Sequence, residues 1–467
     1  MKLSDMRNSI SDFWKEFRKV KSGIVGLCLF MFFLILVVFE PSLLQFPEAN
    51  NRWRDINYWE NNPKSAPPEW TNFFSSKKSS TSAVLKNPEE IDKEMGSMRM
   101  KEYVFEYDYD FDVPPQDIVF MANGSGDPMV LISIERPDGE TIDLIQQSFS
   151  LGNANRIRVS MGKDSFNEVM DFASEYEDYS IVSQLDLSKI SLCEIIFSEA
   201  KMGMTKSKVP LKGTYKIKIT SFLQNSSDSI GEAQIVIPGA VFGVLGTDSY
   251  KRDLFSGVIA GIKWALLIGI LTAVISVSVG VIYGVISAYL GGVWDTIMMR
   301  IFEIFVSVPL LPVLIVMSAV FKPSIWTLIF MMCMFFWVGP VRTVRSMAMQ
   351  IREETYIEAS RALGASHSRI IFKHMVPLLI PYSFASMAIY IPNAIVYEAT
   401  VSLLGLGDAN IVTWGQILSD ANSSGAMLNG IWWWVIPPGL SIAVMGMAFA
   451  FIGFAMDKIL HPKLRTR

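Results

Sequence analysis

This 467-residue chain is poor in the groups that carry out chemistry. Charged residues make up only 18% against 51% hydrophobic ones, and the mean hydropathy is +0.32. That balance excludes an ordinary soluble domain and points to a membrane class. Three cysteines, Cys28, Cys193 and Cys333, are scattered over two apolar runs and one polar region, which excludes a paired disulfide framework or a thiolate metal cluster. The three histidines, His367, His374 and His461, show no metal-ligand spacing. There is no Gly-x-Ser-x-Gly elbow and no Gly-x4-Gly-Lys-Ser/Thr phosphate loop. The nearest stretch, Met-Gly-Lys-Asp-Ser at 161–165, lacks the first glycine and the hydroxyl after lysine. The chain is therefore expected to bind no cofactor and to hydrolyse no nucleotide. If it does energised work, a partner supplies the energy.

What the chain does have is long apolar runs. A membrane-spanning helix needs roughly 20 mostly apolar residues. The first run, 22–39, is too long for a cleavable signal and is followed by Glu40-Pro41 rather than a small-residue cleavage site, so it reads as a retained span. Five more runs follow at 264–294, 304–321, 323–341, 375–397 and 421–456, the last long enough to hold a loop before its helix. Six spans result. Residues 1–21, 342–374 and 457–467 each carry a net charge of +3, whereas 40–255 carry −11. The positive segments fall on one side, the cytoplasm. The expected organisation is a cytoplasmic N-terminus at 1–21, a first span at 22–41, an extracytoplasmic domain at 42–240, and a core of five spans at 241–467, with both termini cytoplasmic in a multi-pass plasma-membrane protein.

The extracytoplasmic stretch is too long for a structureless loop. Its first part is Pro-, Ser- and Asn-rich, but from about residue 100 period-two patterns take over. Residues 101–113 alternate aromatic and charged side chains, and 128–145 read as two strands about Pro137-Asp138-Gly139. Residues 213–222 and 232–239 read as a final antiparallel pair, and 164–178 as an inserted helix. An all-β, sandwich-like domain over 100–240 is expected. A docking platform and a ligand-binding module are both open to it. Asp108, Asp110 and Asp112 share a strand face without the spacing of a calcium loop.

The polar segment 353–382, between two apolar runs, reads as helix–glycine–helix. Tyr356, Ile357, Ala359, Ala362 and Leu363 form one apolar or small face; Glu353, Glu354, Glu358 and Arg361 are polar. Gly364 ends the first helix, and a second short helix, 366–375, turns Ile370, Ile371 and Met375 inward before Pro377 starts the next span. On local physics this is either an amphipathic connector at the headgroups or a docking knob.

The segment resembles the EAA loop of ABC-importer permeases: Glu-Ala-Ala, three residues, Gly, nine residues, then Ile-x-Leu-Pro. Here stand Glu358-Ala359-Ser360, Arg361, Gly364 and His374-Met375-Val376-Pro377. His374 departs from the general pattern but resembles the variant of dipeptide and oligopeptide permeases. Residues 245–261 resemble that subfamily's Gly-Thr-Asp-x-x-Gly-Arg-Asp segment, with Asp248, Arg252 and Asp253 in place, Lys251 where Gly is usual and Gly257 where Arg is usual. Arg300, Glu303 and Pro309 resemble its Arg…Asp…Pro stretch, and Glu398, Gly405 and Gly407, followed by Trp414-Gly415, its Glu-Ala…Gly-Leu-Gly…Trp-Gly stretch. Residues 457–467 resemble its tail.

The resemblance implies a MetI-like permease fold of six transmembrane helices, with the β domain inserted between helices 1 and 2. It implies the second permease subunit of a dipeptide, oligopeptide or nickel importer, forming half of the pathway. The expected partners are a second permease, two ATPases holding ATP and Mg, a solute-binding protein and the lipid bilayer, with no nucleic acid. Glu358, Ala359, Ser360, Arg361, Gly364, His374 and Pro377 would couple to the ATPase. Asp248, Arg252, Asp253, Arg300, Glu303, Pro309, Glu398, Gly405 and Gly407 are family-motif or pathway candidates. Glu303 and Glu398 lie in or beside spans, where a carboxylate is expensive; structural hydrogen bonding and solute contact are both open for them. Peptide is the expected solute, with oligosaccharide and nickel as alternatives. From another class, a membrane-anchored receptor or adhesin would use the β domain to bind an extracellular ligand.

Overall fold

The computed structural model describes residues 14–95, 98–151, 156–177, 191–206, 208–223 and 228–460. Residues 1–13 and the tail 461–467, with His461, lie outside the described residues. The chain divides into a helical unit, Met1–Arg54 with Ser256–Arg467, and a β-rich unit, Asp55–Phe255.

The helical unit begins with α1 (Lys21–Val38), whose Met31, Phe32, Ile35 and Val38 are exposed. Such an outward apolar face suits lipid. The chain then builds the β-rich unit. Nine strands are described in two antiparallel sheets: β1 (Ala83–Leu85), β2 (Glu89–Met95), β3 (Met98–Tyr109), β4 (Val119–Ser125), β5 (Met129–Glu135), β6 (Thr141–Ser148), β7 (Arg156–Arg158), β8 (Gly213–Leu223) and β9 (Ser229–Ile237). Their orders are β1-β9-β4-β7 and β2-β3-β8-β5-β6.

Alternation along β3 buries Tyr103, Phe105, Tyr107 and Tyr109. The register sets Phe105 opposite Ile217 and Tyr107 opposite Tyr215 of β8. Phe120 of β4 and Ile235 and Ile237 of β9 join these in one core, so the two sheets share an interior as a sandwich does. Burial raises the Tyr107 hydroxyl to about 12. Residues 136–140 close the β5–β6 hairpin, with Gly139 at φ +88°. Helix α2 (Lys163–Tyr176) follows.

One expectation is overturned: β8 and β9 do not pair. β8 bonds β3 and β5, while β9 bonds β1 and β4 in the other sheet. A period-two pattern says that one face is buried but not which edge a strand adopts. Within 108–112, Asp108 meets a hydroxyl and Asp110 and Asp112 meet a lysine. Asp108 accepts from Thr214 (2.7 Å), and Lys212 pairs with Asp110 and Asp112 at 3.4 and 3.0 Å. The Lys78 backbone N–H and the Lys212 ammonium hold Asp112 below the usual carboxylate range.

The chain returns to the helical unit through α3 (Leu254–Leu290), then α4 (Gly292–Ser307), α5 (Leu310–Val320), α6 (Ile325–Phe336), α7 (Val338–Arg352), α8 (Thr355–Ala362), α9 (Val376–Leu403), α10 (Trp414–Ser423) and α11 (Ile436–Leu460). Five stretches are long and apolar enough to cross a membrane: Lys21–Val38, Leu254–Leu290, Ile325–Arg352, His367–Leu403 and Trp432–Ile459.

The run at 304–321 is not one straight span. It straddles α4 and α5, which meet at a 79° bend. Pro309 makes the corner: it lacks an N–H and forces Val308 out of the helical region, here to φ −80°, ψ 123°. Close approach joins α1 to α11, because a Cβ on Gly26 would lie 2.6 Å from the Ala448 carbonyl oxygen. Small residues serve this purpose between membrane helices.

Candidate functional site

Two features of the helical unit converge on α7 and α9: an exposed two-helix connector and a cavity. In the connector, α8 presents Glu358, Ala359, Arg361 and Leu363 outward. Of its expected apolar face only Ile357 is buried; Tyr356 and Leu363 are exposed, Leu363 by 88%. Eight residues are little more than two turns, so the helix touches the bundle along a single edge and the rest projects away. Ser360 returns its hydroxyl to the Tyr356 carbonyl at 2.8 Å. Gly364 ends the helix at φ +78°, a left-handed position that favours glycine. Ala365 N–H then reaches back to the Ser360 carbonyl.

The second helix also differs from expectation. Pro377 stands in the first turn of α9 as expected, but no break precedes it: helix is continuous from His367 to Leu403, passing through a π turn at Ile370–Met375. A wider turn is how a helix accommodates a missing donor and a bulky ring. His374 is half-buried and Pro377 exposed.

The connector is held by contacts distant in sequence. Ile357, Ile370, Ile371 and Met375 pack with Val281, Val285 and Ala288 of α3 and Val344 and Ala348 of α7. Tyr289 at the end of α3 is buried, hydrogen-bonds His367 Nδ1 at 2.9 Å and lies under Arg361, 5.6 Å from its guanidinium. Nearby, Arg345 of α7 donates two hydrogen bonds to Asp295 of α4, at 2.8 and 2.5 Å, and Ser287 donates a third. None of Tyr289, Asp295 and Arg345 was legible as a site residue. Asp295 and Arg345 stood out only as charges beside apolar runs, and a pairing 50 positions apart leaves no local pattern.

The cavity, of about 460 Å³, lies where α4 bends into α5. Phe302, Phe305 and Val306 of α4 line it, with Phe335, Phe336, Gly339 and Arg342 from α6 and α7 and Tyr390, Asn393 and Tyr397 from α9. Gly339 is required by close approach, since a Cβ there would overlap the Tyr390 hydroxyl.

The remaining motif residues go elsewhere. Asp248, Arg252 and Asp253 are buried in the β-rich unit. Asp248 accepts from the Tyr250 and Arg252 backbone N–H groups and from Arg252 Nε at 2.5 Å, which fixes the turn before α3. Arg300 donates to Glu303 at 2.7 Å on an exposed face of α4. Glu398 is buried in α9 and accepts from Ser402 and from Thr413, each at 2.7 Å. Thr413 also caps α10 through the Gln416 N–H. Gly405 ends α9's turn at φ +80°, and Gly407 lies against Ser402 and Gln416. Glu398 thus joins two helices and does not line the cavity. Among the described residues, no group of three or more His, Cys, Asp or Glu is placed to hold a metal.

Long apolar helices, a bent helix pair beside a cavity and a projecting connector fit a multi-pass membrane transport subunit. Comparison with known proteins agrees. Residues 280–466 match the family described as binding-protein-dependent transport system inner membrane component, and residues 9–68 match the N-terminal TM domain of oligopeptide transport permease C. The dipeptide transport system permease protein DppC of Bacillus subtilis is 36% identical over 221 residues, 47% of this chain and 68% of that protein. The B. subtilis oligopeptide transport system permease protein OppC is also 36% identical, over 47% of this chain and 72% of that one. A solved inward-facing MetNI methionine ABC transporter overlaps 45% of this chain and 97% of its own at 21% identity, with a TM-score of 0.33. The chain belongs to the ABC-importer permease family of the DppC and OppC proteins, enlarged by its β-rich insertion. It is a transport subunit rather than an enzyme; in this family ATPase activity resides in separate subunits.

Proposed function

We propose that the chain is one of two permease subunits of an ABC importer for peptides, forming half of the translocation pathway and coupling ATP hydrolysis in a partner ATPase to uptake. In this reading the bent pair α4–α5 is one span, six spans result, and the β-rich unit is inserted between the first two on the extracytoplasmic side. Both termini and the connector then face the cytoplasm, as their basic flanks favour. The partners are a second permease, two ATPases carrying ATP and Mg, and a solute-binding protein. This chain itself binds no cofactor.

The observation that carries the reading is the connector. It exposes Glu358, Arg361 and Leu363 while Ile357, Ile370, Ile371 and Met375 root it in α3 and α7. A knob rooted that way moves with the helices that line the cavity, so a partner gripping its exposed face can shift the pathway as a rigid lever. Glu358→Arg and Gly364→Val are expected to cut ATP-driven uptake by about tenfold or more, the scale of an inter-site coupling, with protein still present in the membrane. Normal uptake and normal ATPase coupling in both variants would sink the assignment.

A further inference from the structure

We propose that Arg342 is a carboxylate-binding group of the solute pathway, so that the importer favours peptides with a free C-terminal carboxylate. This rests on the transport reading above. The cavity wall is mostly aromatic and aliphatic, with Phe302, Phe305, Phe335, Phe336 and Tyr397 among its residues, and among the described residues Arg342 is the one charged residue lining it. The Arg342 guanidinium lies over the Phe302 ring, 5.1 Å from its centre. Stacking covers a face of the guanidinium and leaves its N–H edges for an acceptor.

Neighbouring arginines are already neutralised. Arg345, one helical turn further along α7, is paired with Asp295, and Arg300 of α4 is paired with Glu303. Among the described residues Arg342 has neither an ion-pair nor a hydrogen-bond partner.

A fixed cation on an apolar wall selects by charge. The guanidinium fork matches a carboxylate with two parallel hydrogen bonds, while the aromatic wall covers apolar side chains. Asn393 adds an amide that can donate to and accept from a peptide backbone. A divalent metal ion meets the opposite conditions: among the described residues the wall has no carboxylate, imidazole or thiolate to hold it, and Arg342 repels it. A neutral sugar leaves the cation without a counter-charge.

The test uses the complete importer, with its ATPases, second permease and binding protein, in proteoliposomes. Uptake of a tripeptide free acid and of its C-terminal amide is measured for the wild type, Arg342→Gln and Arg342→Lys. Each rate is corrected for the affinity of the binding protein and for the amount of permease in the membrane. The acid-to-amide uptake ratio is expected to fall about tenfold in Arg342→Gln, as for loss of a charged hydrogen-bond partner, and to fall by less in Arg342→Lys, which keeps the charge but not the planar fork. An unchanged ratio in Arg342→Gln, whether both rates fall together or neither does, overturns the assignment; the arginine then serves a lipid headgroup, a partner subunit or packing. Absence of ATP-driven uptake of either peptide by the wild type removes the transport reading and this assignment with it. Wild-type uptake with an unaltered ratio in the variant removes this assignment alone.

Discussion

At the scale of single residues, Lys251 carries a backbone cost. It stands where the motif that 245–261 resembles has glycine, and its backbone is at φ +65°. That left-handed conformation costs an L-residue roughly 1–2 kcal/mol. The turn explains the requirement: Lys251 N–H bonds the Asp248 carbonyl, and its own carbonyl accepts from Asn62 at 3.0 Å. Burial, with Arg158 nearby, holds its ammonium below the usual lysine range. A lysine whose folded pKa is lowered destabilises the fold below that pKa, and the penalty fades as pH rises through the folded value and is gone above the unfolded one, about 10.4. Lys251→Gly is therefore expected to stabilise the protein by about 1 kcal/mol near neutral pH, with a smaller gain in alkali. Lys251→Val, β-branched at positive φ, is expected to destabilise it. Thermal unfolding of the detergent-solubilised variants checks the order Gly above Lys above Val.

Gly257 departs from that motif in the opposite sense, standing where it has arginine. A Cβ there would lie 2.4 Å from the ring of Trp53, and Trp53 is buried. The indole occupies the space an arginine side chain would need. A departure readable in the sequence thus has its reason in a residue about two hundred positions away.

At the scale of elements, proline decides geometry in two ways. Pro309 makes the bend between α4 and α5 and so shapes the cavity, which Val308 and Leu310 help to line. Pro377 is absorbed by a π turn, and the helix runs on. In the sequence both prolines lie near the start of an apolar run, Pro309 in 304–321 and Pro377 in 375–397. The outcome differs because α9 is supported by α11, α10 and the connector core, which outweigh a local defect.

Glu398 acts between elements. Its buried carboxylate takes hydroxyl hydrogen bonds from Ser402 of α9 and from Thr413, the cap of α10. Glu398→Ala leaves both hydroxyls without that acceptor and is expected to destabilise the fold by about 1–3 kcal/mol. Glu398→Gln retains a carbonyl acceptor and is expected to recover most of that. A solute-binding role would give another result: in uptake assays Gln would be as damaged as Ala while the thermal stability of both stayed at wild type.

At the scale of the whole molecule, the β-rich unit is separable by its own hydrogen bonding. The N–H groups of Ala240 and Val241 both donate to the Ser80 carbonyl, at 2.8 and 3.1 Å. The strands, from β1 at Ala83 to β9 ending at Ile237, lie between these points. Joining residue 80 to residue 240 through a short Gly-Ser linker is expected to remove the sandwich while leaving 63–68 on 242–248, where Thr247 still bonds Pro63 and Ala66. Insertion and some ATP-driven uptake should survive in the shortened protein. Complete loss of function with normal insertion would favour the receptor reading, in which the sandwich carries the activity.

By itself the sequence determined what depends on local composition and period. The apolar runs located the membrane helices, because burying 20 residues in lipid requires apolar side chains wherever they pack. Alternation located β3, β5 and β6 and the row of inward tyrosines. Gly364 marked the connector's turn, since few other residues accept its φ. Only the tertiary structure decided what depends on which surfaces meet. It set β8 and β9 in different sheets, turned Tyr356 and Leu363 outward, and bent the span at Pro309. It paired Asp295 with Arg345 and left Arg342 alone among aromatic rings. Charge and hydropathy are properties of single positions, but pairing and isolation are properties of neighbours, and the neighbours here are about 40 to 200 residues apart along the chain.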